Sequence, residues 1–162
     1  MANKRHWLEM LVMVLVFGIA IAGCDNGSTE GGDSNATKTL VFQNVPANFY
    51  SEFAYAVQYG GGGEIGLYPV GTTLQQALYW DNVAGAALSN SDISAVGPSG
   101  GPYTITVPLY ADLGVRWNGN GTYDVYLLLY SNEGDRYLRV SSVNISSATT
   151  NIQYSRIIEV YP

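Results

Sequence analysis

From Thr39 onward, short segments recur in which apolar and polar positions alternate with a period of two. Leu40 and Phe42 point one way, with Thr39, Val41 and Gln43 the other. Phe53, Tyr55, Val57 and Tyr59 would share one face of a strand and Ala54, Ala56 and Gln58 the opposite face. Such alternation is the signature of a half-buried strand. Gly60 to Gly63 then separate this run from Glu64-Ile65-Gly66-Leu67-Tyr68, which predicts a hairpin. Tyr103, Ile105, Val107 and Leu109 alternate with Thr104, Thr106 and Pro108; Pro108 has no N–H to give, so this strand lies at an edge or ends there. From Val125 to Tyr130 both faces are apolar, which predicts a central strand covered on both sides. Tyr137 to Ile145 and Ile152 to Tyr161 add two more strands, after a turn at Ser131 to Asp135.

The stretch from Thr72 to Ser94 is ambiguous. Thr73 with Gln76 fits a capping box, and Leu74, Ala77 and Leu78 have helical spacing. Gly85 and Ser89-Asn90-Ser91-Asp92 would break a long helix, and the reading leans towards strand. The whole pattern predicts an all-β domain, an antiparallel β-sandwich of about seven to nine strands spanning residues 39–162.

The first 38 residues follow other rules. Lys4 and Arg5 precede an apolar run from Leu11 to Ala22. That run is shorter than the ~20 residues of a membrane span and has the length of a secretory signal core. It ends in Ile21-Ala22-Gly23-Cys24, which resembles the lipobox of bacterial lipoproteins at all four positions. Small residues admit the backbone to a peptidase, and the thiol after the cut can take a diacylglyceryl group. Cys24 is the only cysteine, so no disulfide forms within the chain. The expected organisation is a signal peptide over 1–23, a lipidated cysteine and polar linker over 24–38, and the domain. Two or more acyl chains hold a protein at a bilayer stably. The expected location is therefore the cell envelope, anchored through lipid on Cys24, on the periplasmic or surface face of the outer membrane. The sequence leaves the choice of inner or outer membrane, and the leaflet, open.

Charge and composition then exclude function classes. The leader takes Lys4, Arg5 and Glu9, leaving five basic and twelve acidic residues in the mature chain. A surface this acidic argues against nucleic acid, whose binding requires phosphate neutralisation. The only histidine, His6, leaves with the leader, so a Ser-His-Asp arrangement and a His/Cys metal site have no ligands. No metal or cofactor is expected, and residues 112–124 lack the spacing of a calcium loop. Carboxylates alone can serve glycosidases; Asp112, Asp124, Glu133 and Asp135 lie near turns, where such groups are mostly solvated or capping N–H groups. A non-catalytic domain is expected.

Two segments carry a resemblance. Trp117-Asn118-Gly119-Asn120-Gly121-Thr122-Tyr123-Asp124-Val125 and Ser146-Ser147-Ala148-Thr149-Thr150, with the end at Glu159-Val160-Tyr161, resemble a paralogous set of small lipoproteins and β-modules of treponemes. It covers mainly residues 103–161, implies a spirochaete envelope protein, and brings no assigned activity and no catalytic residue.

Asn118 to Gly121 also reads as turn chemistry, since Asn and Gly tolerate positive φ. All thirteen tyrosines lie in the mature part. Tyrosine and tryptophan offer contact area at low entropic cost, so Trp80, Trp117 and Tyr123 are candidate ligand-stacking residues, with core packing the competing role of Trp117. Two functions stand: an envelope module that binds a protein or glycan partner, or a structural or antigenic surface protein without a ligand. A carboxylate-based enzyme is the third reading.

Overall fold

A computed structural model describes residues 37–59, 62–79, 81–112, 115–130 and 134–162. The lipobox, Cys24 and most of the linker lie outside these residues. The chain order is β1 (Thr39–Val45), α1 (Ala47–Tyr59), β2 (Gly63–Pro69), α2 (Leu74–Tyr79), β3 (Ala84–Ala87), β4 (Ser94–Val96), β5 (Tyr103–Pro108), β6 (Tyr110–Asp112) and β7 (Val115–Arg116). It continues with β8 (Gly121–Leu129), β9 (Arg136–Ile145), β10 (Thr149–Gln153), a 3₁₀ turn (Tyr154–Arg156) and β11 (Ile158–Val160).

The strands form two sheets, as the alternating pattern predicts. One has seven strands in the order β11-β9-β8-β2-β3-β6-β7, all antiparallel. The other has four, β10-β1-β5-β4, and is mixed, because β1 pairs with β10 in parallel and with β5 antiparallel. Leu40, Phe42, Ile105, Val107 and Ile152 of the smaller sheet share one core with Ile65, Leu67, Val125, Leu127 and Val140 of the larger. This is the all-β sandwich that the sequence predicts, with eleven strands among the described residues instead of seven to nine and one parallel pairing in place of a wholly antiparallel arrangement. β5 ends at Pro108 and lies inside its sheet, between β1 and β4. Lys38, assigned by sequence to the linker, is buried; its N–H donates to the Trp117 carbonyl at 2.9 Å.

One predicted strand is a helix. Residues 53–59 belong to α1, which buries Phe49, Phe53 and Ala56 and leaves Tyr55 about half exposed. Positions 49, 53 and 56 are i, i+4 and i+7, a helical stripe, which shares only Phe53 with the alternating set 53, 55, 57 and 59. Helix formers Ala47, Glu52, Ala54 and Ala56 outnumber β-branched residues there, and the Tyr50 N–H reaches back to the Pro46 carbonyl at 3.0 Å. The expected hairpin is thus a helix-to-strand connection. Contacts of Phe49, Phe53 and Ala56 with the sandwich core favour the helical pattern over the alternating one.

The ambiguous stretch contains α2, followed by β3 and β4. The Gln76 side-chain oxygen accepts the Thr73 N–H at 2.9 Å, and the Thr73 hydroxyl accepts the Gln76 N–H at 3.3 Å. This reciprocal box starts a six-residue helix. α2 then supplies a lid over the larger sheet: Leu74 and Ala77 pack with Tyr68, Tyr126 and Leu128 in a second apolar cluster. β8 is therefore covered on both faces. Val125, Leu127 and Leu129 enter the main core, and Tyr126 and Leu128 enter the second cluster.

Candidate functional site

Trp80 lies outside the described residues. Trp117 and Tyr123 are adjacent. Their rings meet edge to face at a centroid distance of 5.7 Å, and Trp117 is 9% exposed and part of the main core. A Cβ placed on Gly119 would stand 2.6 Å from the Trp117 ring, and one on Gly121 would stand 2.7 Å from the Tyr123 hydroxyl. The glycines of the Trp-x-Gly-x-Gly-x-Tyr motif are thus required by aromatic rings lying on the backbone. Asn118, Gly119 and Asn120 do not have positive φ, so the turn chemistry read from sequence is not what selects Gly119. The Tyr123 hydroxyl donates to the Asn120 carbonyl at 3.2 Å and closes the loop on itself.

Asp124 is fully buried and binds backbone N–H groups, the second of the two roles that the sequence suggested, rather than being solvated at a turn. One carboxylate oxygen accepts the Gly71 N–H at 2.8 Å and Arg139 Nη2 at 2.6 Å; the other accepts the Ser142 N–H at 2.9 Å. The β8–β9 register explains the burial. Tyr123 faces Val143 and Val125 faces Val140, so Ser141 and Ser142 together oppose Asp124. Ser142 has φ 51, and this bulge turns its N–H onto the carboxylate. The Arg139 guanidinium also lies over the Tyr126 ring, 5.7 Å from its centroid. Asp124 ties three segments together, with its oxygens committed to N–H donors. Asp135 accepts from the Tyr137 hydroxyl at 3.2 Å. Glu133 and the side chain of Asp112 lie outside the described residues.

The larger sheet also buries a tyrosine with a perturbed hydroxyl. Tyr68 donates to the Ala77 carbonyl at 3.0 Å beneath α2. Burial, reinforced by the negative charge of Glu64, pushes its pKa up to about 12. Tyr126 donates to the Thr72 carbonyl at 2.6 Å, and burial raises its pKa too. Burial raises both phenols, whose hydroxyls donate to main-chain carbonyls, that of Tyr68 within α2 and that of Tyr126 in the segment that leads into it.

An accessible concavity lies elsewhere, between α1 and β4. Tyr50, Phe53, Ala54 and Val57 line one wall, and Ile93 and Ala95 the other, enclosing about 220 Å³. Gln58 and Ser94 form its polar rim. The wall on α1 is the stripe 50, 53, 54, 57, 58, which is helical spacing. Tyr50 is fixed by stacking on Tyr103 of β5, with centroids 3.9 Å apart and planes at 15°. The two nearest carboxylates in sequence are each paired with an arginine: Glu52 with Arg136 and Asp92 with Arg116. The groove is apolar, uncharged and open to solvent, a geometry suited to receiving side chains of a partner. Reading residues 53–59 as a strand concealed it, since its wall exists only when they are helical. Compared with known proteins, the chain matches no family model, no curated protein and no solved structure.

Proposed function

We propose that this chain is a bacterial envelope lipoprotein, anchored through lipid on Cys24, whose β-sandwich is a non-catalytic module that binds a protein or glycan partner. The observation that carries the anchor is the sequence Ile21-Ala22-Gly23-Cys24 at the end of an apolar run, holding the only cysteine of the chain. The resemblance to small treponemal lipoproteins supports the same reading. The uncharged groove between α1 and β4 supports interaction as the role of the domain. The polar linker, with two acyl chains or more on the cysteine, would hold the domain at a membrane.

Trp117 favours a second reading. Its burial removes one of the aromatic faces that a glycan would stack on, as expected for a structural or antigenic surface protein without a ligand. The anchor is common to both readings. Cells producing the chain and fed radiolabelled palmitate should label it, and Cys24→Ala should abolish the label and leave the leader uncleaved. Equal labelling of the variant, or no label on the original chain, would sink the proposal.

A further inference from the structure

We infer that the groove between α1 and β4 is a strand-addition site for an extended segment of a partner protein, aliphatic at alternate positions and flanked by basic residues. The inference rests on the reading of the domain as an interaction module and names the chemistry of its partner.

The first observation is the direction of the main chain along β4. The Leu109 N–H donates to the Lys38 carbonyl at 2.9 Å. In the antiparallel β1–β5 register the hydrogen-bonded pairs recur every second residue, so Phe42 and Ile105 form one of them. Ile105 therefore turns its N–H and C=O towards β1, while Thr104 and Thr106 turn theirs towards β4. Ser94 pairs with Thr106 and Val96 with Thr104, which leaves the N–H and C=O of Ala95 pointing away from β5. β4 is the last strand of its sheet, so these groups face the side where the sheet ends. An added strand recovers such hydrogen bonds.

The second observation is what lies along that edge. Ala95 is also part of the wall of the groove, opposite Ala54 and Val57 of α1. A strand paired with Ala95 projects every second side chain towards the helix. The 220 Å³ on offer is below the roughly 300–1,000 Å³ of sites for small organic ligands, and suits one or two aliphatic side chains.

Charge selects the occupant further. The lining carries no formal charge, so an apolar segment enters without stranding an ion; of the neighbouring carboxylates, Asp92 is paired with Arg116, and Glu52 shares Arg136 with Glu159, which leaves a net negative charge beside the groove. The chain as a whole has a formal charge of −6, which repels acidic flanks and attracts basic ones. The chain's own linker does not fit, because residues 25–36 contain a single small apolar residue, Ala36.

The test uses the full-length lipidated protein in detergent micelles and fluorescence anisotropy of the labelled peptide Lys-Val-Thr-Val-Thr-Val-Lys. Binding is expected. It should weaken about tenfold when the central valine is N-methylated, and about tenfold when the lysines are replaced by glutamates. Ala54→Trp, which fills the groove, should weaken it by a similar factor while circular dichroism stays unchanged. The N-methyl peptide needs no protein variant, so the proposal stays testable if Ala54→Trp misfolds. Equal binding of the N-methylated peptide, or of a folded A54W protein, overturns strand addition; so does the absence of binding by the parent peptide. Dimerisation of the chain alone that A54W abolishes would assign the groove to a second copy and overturn the partner proposed here. Photo-crosslinking in cells separates this inference from the broader reading. Crosslinks from positions Asn151 or Thr122 but none from Ser94 reject the groove and keep the interaction module, and none from any position rejects both.

Discussion

Asp124 and Tyr68 show how single polar groups hold this sandwich. Asp124 accepts three hydrogen bonds inside the fold, one of them from a charged guanidinium. Removing Asp124 leaves the Gly71 and Ser142 N–H groups without an acceptor and the partly exposed Arg139 without its counter-ion, and each buried donor left unsatisfied costs about 1–3 kcal/mol. Asp124→Ala should lower the urea midpoint accordingly, and a loss under ~1 kcal/mol would refute the role of Asp124 as a tie. Tyr68 acts through pH. Its pKa in the fold is pushed up to about 12 by burial. The folded state therefore keeps a proton that the unfolded chain releases above the ordinary tyrosine value near 10. The stabilisation is fully present below pH 10 and lost as pH rises through 10 to 12, an effect of about 2–3 kcal/mol. Denaturation profiles over that window should flatten in Tyr68→Phe, which itself costs ~1 kcal/mol at neutral pH for the lost hydrogen bond to Ala77. An unchanged slope in the variant would assign the alkaline loss to other tyrosines.

At the scale of elements, the loop from Trp117 into β8 is ordered by rings packed on glycines. Gly119→Ala places a methyl 2.6 Å from a Trp117 ring that is itself held in the core. Overpacking of this kind costs about 1–3 kcal/mol. The variant should lose stability and show red-shifted tryptophan emission as the indole is displaced towards water; an unshifted spectrum with full stability would show that the loop accommodates the methyl. Elements whose pattern has one solution were legible in the sequence. β8 is apolar on both faces because the main core and α2 cover it. α2 was only half legible: the box between Thr73 and Gln76 was visible, but the reading of that stretch leaned towards strand. α1 was not legible as a helix. Its apolar residues fit period two over 53–59 and period 3.6 over 49–57, and nothing within the segment chooses. The choice comes from Phe49, which belongs to the stripe of the helix and lies outside the alternating run. The groove was hidden for the same reason.

At the scale of the whole molecule, long sequence separations carry the site and the ties. Asp124 reaches Gly71 across 53 residues, and Tyr126 reaches Thr72 across 54. The parallel pairing of β1 with β10 brings Gln43 to Asn151 across 108. Such contacts leave no trace in local pattern, so burial of Asp124 and Lys38 could not be read from their neighbours. The sequence by itself determined what depends on composition and short-range order: thirteen acidic residues against seven basic ones, a single histidine, a single cysteine, and alternating segments that fit a β-sandwich. Those are properties of residues and of their nearest neighbours, so they survive without a fold. Only the tertiary structure decided that 53–59 is helical, that Asp124 is a buried tie, and that the free edge of β4 borders an apolar groove. Each of these depends on free energy gained between distant segments, where burial and pairing outweigh a local preference that is weak or divided.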